Sequence, residues 1–220
     1  MVLRSRVKAA APATKPAPNA GLMLFVAADS VDCDWVRLVL AEKDVDGAQV
    51  QLVRPGAADE DFLVLNPAQT LPTLADREGV LIGARVIAEY LDERYPHPPL
   101  MPQEPAARAR ARMALQHLEQ DLFPLAAALG GAARAAASAR SELLTRLRRS
   151  PRHLASQGWY LGREFSLIDC AWAALLRRLA ANGVEPHGAE SEGLRRYAGR
   201  LGARPSYKRC FQAKTTGGRP

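Results

Sequence analysis

The stretch PTLADREGVLIG, residues 72–83, reads as two short strands that turn back on each other near Glu78-Gly79. After it, ARVIAEYLDERY (84–95) has helical spacing, with Val86, Ile87, Tyr90 and Leu91 expected on one side. Before it, DEDFLVLNP (59–67) reads as a short helix closed by Asn66-Pro67, and AQVQLV (48–53) alternates like a half-buried strand after Gly47. Further upstream, WVRLVLAEK (35–43) repeats apolar residues at helical intervals behind the acidic cluster Asp29, Asp32 and Asp34. Carboxylates there suit a helix start, where they cap free amides and oppose the positive end of the dipole. GLMLFVAADS (21–30) opens with an apolar run of strand length. The order is therefore βαβαββα over residues 21–95, the layout of a thioredoxin-like layer.

From Pro105 onward strand signals vanish. PAARARARMALQHLEQDLFPL, ASARSELLTRLRR, SLIDCAWAALLRRLAANG and EGLRRYAGRLG read as successive helices rich in Ala, Leu and Arg. In the third, Ser166 and Asp169 form an S-x-x-D capping box, with a cap worth roughly 1 kcal/mol. The fold expected is α/β followed by all-α. Its divisions are a basic Ala/Pro-rich arm (1–20), a thioredoxin-like domain (21–95), a Pro-rich linker (96–104), an all-helical domain (105–205) and a basic tail (206–220).

Charge follows the same division. Residues 21–100 hold 6 basic and 14 acidic side chains, whereas 101–205 hold 16 basic ones, all Arg, and 9 acidic. Opposed signs on two halves suggest surfaces that could meet across a homodimer. No apolar run is long enough to span a bilayer, which predicts a soluble chain with no membrane partner. The arm lacks the apolar centre of a secretory signal, and its three prolines spoil an amphipathic transit helix. Cys33, Cys170 and Cys210 are scattered and odd in number, which fits reduced thiols in a cytoplasm. Neither they nor the four histidines show metal-ligand spacing, so no metal is expected. Arginine pairs at 148–149, 177–178 and 195–196 lack aromatic interleaving and any nucleic-acid motif. Sequence-specific nucleic-acid binding is therefore not expected.

A second stretch, EYLDERYPHPPLMP (89–102), raises a functional question, because a charged amphipathic helix stops at Tyr95 and His97 is hemmed in by Pro96, Pro98, Pro99 and Pro102. Proline fixes its own φ and pushes its predecessor toward extended geometry. Tyr95 through Pro99 is expected to be a semi-rigid extended strut with His97 held outward. Such a strut gives up little entropy on docking. A rigid linker that keeps two domains in register would look the same.

The TLPTL run (70–74) and the FSLIDC cap (165–170), with the two halves they sit in, resemble the glutathione transferase superfamily. VRLVLAEK (36–43), LNPAQTLPTLADRE (65–78), EYLDERYPHPPLMP and EFSLIDCAWAALLRRL (164–179) resemble its stringent starvation protein A branch, whose members associate with RNA polymerase. The likeness covers about residues 21–205. It implies a cis peptide at Leu71-Pro72, beside the family's thiol-tripeptide site or merely shaping the strand entrance. Where the superfamily receives the glutathione glutamyl group with an acid and a serine, this sequence has Gly83-Ala84. Neither side chain can donate or accept, which argues against tight glutathione binding and against a bound cofactor.

For Pro96, His97, Pro98 and Pro99 the resemblance implies a protein-binding role toward RNA polymerase holoenzyme, in the region of its sigma factor. Glu104 departs from the aromatic residue expected near that point. The function implied is a cytoplasmic, homodimeric regulator of transcription under stress with no catalytic residue. The alternative is a thiol-dependent transferase-like enzyme using Cys33, where the helix dipole favours a thiolate and Asp29, Asp32 and Asp34 oppose it.

Overall fold

The computed structural model describes residues 21–45, 47–54, 56, 59–149, 158–188 and 191–212. The arm read at 1–20 and the last residues of the tail lie outside the described residues.

Four strands form one sheet in the order β2-β1-β3-β4, with β1 at Met23–Val26, β2 at Gln49–Leu52, β3 at Thr73–Asp76 and β4 at Gly79–Ile82. β1 runs parallel to β2, Met23 facing Gln49, and antiparallel to β3, Leu24 facing Leu74. The β3–β4 hairpin closes with Asp76 opposite Gly79, and Asp76 Oδ1 accepts from the amides of Glu78 (2.8 Å) and Gly79 (3.2 Å). A parallel pair needs a crossover, and α1 (Val31–Lys43) supplies it. Ser30 caps α1 by accepting from the Cys33 amide at 3.2 Å, and Asp32 and Asp34 occupy its first turn.

Strand alternation sorts the side chains onto two faces. Leu24, Val26 and Leu74 join the main core with α1 and α3 (Ala84–Arg94), while Phe25 and Ala75 meet α2 (Glu60–Leu65) on the other side. There the Phe25 and Phe62 rings lie 4.8 Å apart. The helical half comprises α4 (Pro105–His117), a π-helical turn (Leu118–Leu122), α5 (Phe123–Ala128), α6 (Ala133–Arg149), α7 (Leu167–Ala181), α8 (Glu192–Ala203) and α9 (Pro205–Phe211). The main core is continuous across both halves, running from Trp35 and Leu91 to Leu115, Trp172 and Tyr197.

The capping box at the head of α7 is present. Ser166 donates to Asp169 Oδ2 through its amide at 2.8 Å and its hydroxyl at 2.6 Å, and the other carboxylate oxygen accepts from the Tyr160 amide and the Tyr197 hydroxyl. Three details differ from the sequence reading. The core stripe of α3 is Ala84, Ile87, Ala88 and Leu91, one i, i+3/i+4, i+7 face, and Val86 falls off it at 55% exposure. β2 is an edge strand, so Val50 and Leu52 face solvent instead of being half-buried. The segment from Ser206 enters the fold as α9, whose Arg209 donates to the Ala41 carbonyl of α1 at 2.9 Å.

Candidate functional site

The proline segment leaves α3 at Tyr95, and Pro96, His97, Pro98 and Pro99 are all solvent-exposed. It does not run extended. The chain bends at His97 and Pro98, and the peptide between them is cis. The bend is held from beneath. Lys43, at the last turn of α1, donates through Nζ to Asp92 Oδ1 at 2.6 Å and to the Pro98 carbonyl at 2.6 Å. Asp92, on the last turn of α3, also accepts from the amides of Leu100 (2.8 Å) and Met101 (3.1 Å). Both side chains are buried, at 0% and 6% exposure, so this ion pair has no solvent to share its charge with. A buried pair persists only when its remaining donors and acceptors are satisfied, and here the turn's own backbone satisfies them.

Two further ties fix the far side. The Leu100 carbonyl accepts from the Leu167 amide at 2.9 Å, and the Pro102 carbonyl accepts from Arg108 Nε at 2.9 Å. Residues 96–99 thus form a ridge tied to α1 through the Pro98 carbonyl, and Leu100 to Pro102, which follow it, are tied to α3, α4 and α7. Glu104 takes a structural part: its carboxylate caps α4, accepting from the amides of Ala106 (2.9 Å) and Ala107 (2.6 Å), which hold it below its usual value. Lys43 and Asp92 escape a reading of sequence. Both lie inside the strings that carry the family resemblance, but nothing in their spacing separates them from solvent-facing charges.

Beside the ridge lies a cleft of about 450 Å³ whose walls include Pro99 and Met101 on one side, Arg110 of α4, and Leu161, Arg163 and Phe165 ahead of α7.

The positions expected around a thiol-tripeptide site fall at the entrance to β3, the start of α3 and the first turn of α1. Leu71-Pro72 is cis, as the resemblance implies. At the start of α3, Gly83 adopts φ 97°, a conformation that favours glycine, and no side chain caps the helix. Ala84 is buried. No side chain at these two positions can take a carboxylate or an ammonium group. Cys33 is fully buried, its sulfur accepting from the Ala27 amide at 3.3 Å. Burial raises its thiol pKa above the ordinary value, and the charges of Asp32 and Asp34 push the same way against the hydrogen bonds from Ser30 and Ala27. At neutral pH Cys33 is a thiol in the core. Glutathione finds no fitting side chains at these positions.

Asp34 is buried and engaged with cations. It bridges Arg37, at 3.0 Å, and Arg177 of α7, and both guanidinium groups lie over the Phe211 ring of α9. Among the described residues no group of His, Cys, Asp and Glu could hold a metal ion, and no helix is long and apolar enough to cross a membrane.

Residues 24–99 match the family model described as "Glutathione S-transferase, N-terminal domain". In three dimensions the chain is similar to a glutathione S-transferase from Sinorhizobium meliloti 1021, with a TM-score of 0.75 and 26% identity, over 91% of this chain and 96% of that one. Across nearly the whole sequence it is 41% identical to a stringent starvation protein A homolog from Pasteurella multocida, covering 84% of this chain and 88% of the relative. The homolog from Haemophilus influenzae is 40% identical with the same coverage. Identity at that level over both halves, on a glutathione-transferase fold, means that the chain belongs to the stringent starvation protein A family.

Proposed function

We propose that this chain is a cytoplasmic regulatory binding protein that docks on RNA polymerase holoenzyme, in the region of its sigma factor, and modulates transcription under stress. The docking element is the ridge Pro96, His97, Pro98 and Pro99, and the protein works without glutathione transferase activity. One observation carries the reading: four exposed residues stand over a buried Lys43–Asp92 pair that takes the Pro98 carbonyl and the amides of Leu100 and Met101 just beyond it. A surface fixed before binding loses little conformational entropy when it docks. A plain connector between two halves that already share a core would not need such a tether. The family membership supports the same reading, since the branch this sequence resembles associates with polymerase.

The thiol-enzyme alternative through Cys33 gains nothing from a buried sulfur with a raised pKa. The test is capture of holoenzyme from solution by immobilised full-length protein, comparing wild type with His97→Ala/Pro98→Ala after circular dichroism shows both folded. Capture should fall by about ten-fold or more, equivalent to roughly 1.4 kcal/mol. Equal capture by the two proteins overturns the reading.

A further inference from the structure

Most arginines of the helical half are matched within the chain. Arg108 and Arg112 engage Glu93 and Glu89, Arg177 and Arg178 engage Asp34 and Asp29, and Arg204 engages Glu42. Arg140 donates to the carbonyls of Asn182 and Gly183 that end α7. Arg110 and Arg163 differ. Both are exposed, neither has a hydrogen-bond or ion-pair partner among the described residues, and both border the cleft beside the ridge. Glu104, which feels the charge of Arg110, gives its oxygens to the amides of Ala106 and Ala107.

Much of the remaining wall is apolar, with Gln103, Glu164 and Ser166 the other polar side chains that line it. Leu161 is 41% exposed, Phe165 is half-buried, and Pro99 continues the ridge directly into the wall. A volume near 450 Å³ suits a few side chains of an inserted segment. Two cations with Glu164 beside them do not make the positive stripe that tracks a phosphate backbone, and the apolar wall gives a phosphodiester nothing to bury against. A peptide offers both parts at once: a carboxylate for a guanidinium fork and an apolar side chain for the wall.

Building on the docking reading above, we infer that the cleft receives an acidic segment of the partner protein. One carboxylate is held between Arg110 and Arg163, and a neighbouring leucine or phenylalanine packs against Leu161 and Phe165. The ridge provides the rigid edge of the interface, and the arginine pair selects for negative charge.

The probe is a fluorescein-labelled peptide of repeated Asp-Phe-Glu-Leu, with a control in which each acid is replaced by its amide, titrated against full-length protein by anisotropy. The acidic peptide should bind about ten-fold tighter than the control, and its affinity should fall with added salt. Arg110→Gln/Arg163→Gln should abolish the preference while Arg110→Lys/Arg163→Lys keeps most of it. The Gln variant should also capture holoenzyme about ten-fold less well. Equal affinity for the two peptides, a preference unchanged in the Gln variant, or single-stranded DNA competing as well as the acidic peptide overturns the inference. Holoenzyme capture that survives Arg110→Gln/Arg163→Gln but is lost in His97→Ala/Pro98→Ala overturns it too and leaves the docking reading standing. A wild-type protein that captures no holoenzyme sinks the docking reading, and the peptide titration then decides the cleft by itself.

Discussion

Lys43 stands at the end of a helix that begins with acidic residues, the usual place for a lysine that complements the negative end of the dipole and reaches into water. Instead its side chain is fully buried and its ammonium group spans Asp92 and the Pro98 carbonyl. Removing Asp92 leaves the buried ammonium group with the Pro98 carbonyl as an acceptor but with no opposite charge beside it. Asp92→Ala therefore predicts a loss of about 3–5 kcal/mol in urea unfolding, and it also frees the amides of Leu100 and Met101. Lys43→Met/Asp92→Leu replaces both charges by apolar volume and should recover much of that stability. It should not recover holoenzyme capture, because nothing then holds the Pro98 carbonyl. A double variant that is stable and captures normally would separate the tether from function. At this scale the sequence was only half legible. Exposure of His97 followed from its prolines, whereas the tether joins residues 49 positions apart and no local pattern marks it. The bend at His97 and Pro98 is illegible for a related reason: proline restricts φ but does not say which way its carbonyl faces, and here that carbonyl meets Lys43 from α1.

Elements were read more securely than residues. β1, α1, β2, α2, β3, β4 and α3 follow from periodicity and turn residues, and the head of α7 follows from Ser166 and Asp169. What periodicity left open was rotation. Tyr90 and Val86 share the α3 spacing that suggests a single apolar face; the core takes Ile87 and Leu91 with Tyr90 packed at its edge, Val86 falls outside it, and the Tyr90 hydroxyl reaches the β3–β4 hairpin to donate to Asp76. Partial burial, this hydrogen bond and the Asp76 charge raise its phenol pKa to about 12. A group raised in the folded state stabilises fully below its unfolded pKa, about 10 for tyrosine, and that contribution is lost as pH climbs through the folded value. Wild type should therefore lose its stability advantage over Tyr90→Phe between about pH 10 and the folded pKa. Thermal melts of both proteins across that range check it. A stability difference that stays constant would mean the α3–hairpin hydrogen bond contributes nothing.

On the scale of the whole molecule, the unequal charge of the two halves suggested that opposite surfaces meet between copies. Much of that charge is spent inside one copy, where Asp34, Glu42 and Glu89 of the first half are paired with Arg177, Arg204 and Arg112 of the second. A homodimer remains our proposal, and it needs a different adhesive. Ile82 on β4, Val86 on α3 and Met113 on α4 are exposed at 45%, 55% and 68%; β4 packs against α3, and the Glu89–Arg112 pair ties α3 to α4. Large apolar side chains left outside in this way suit an interface between copies. Multi-angle light scattering at micromolar concentration should give a mass near twice 23.8 kDa. Because apolar burial is not screened by ions, the dimer should persist at about 1 M salt, where the Debye length is near 3 Å. Val86→Asp/Met113→Asp should bring the mass to that of one chain without unfolding it, since neither side chain belongs to the core. A dimer that dissociates in salt yet survives those substitutions would return the interface to charge pairing, and a wild-type monomer would remove it.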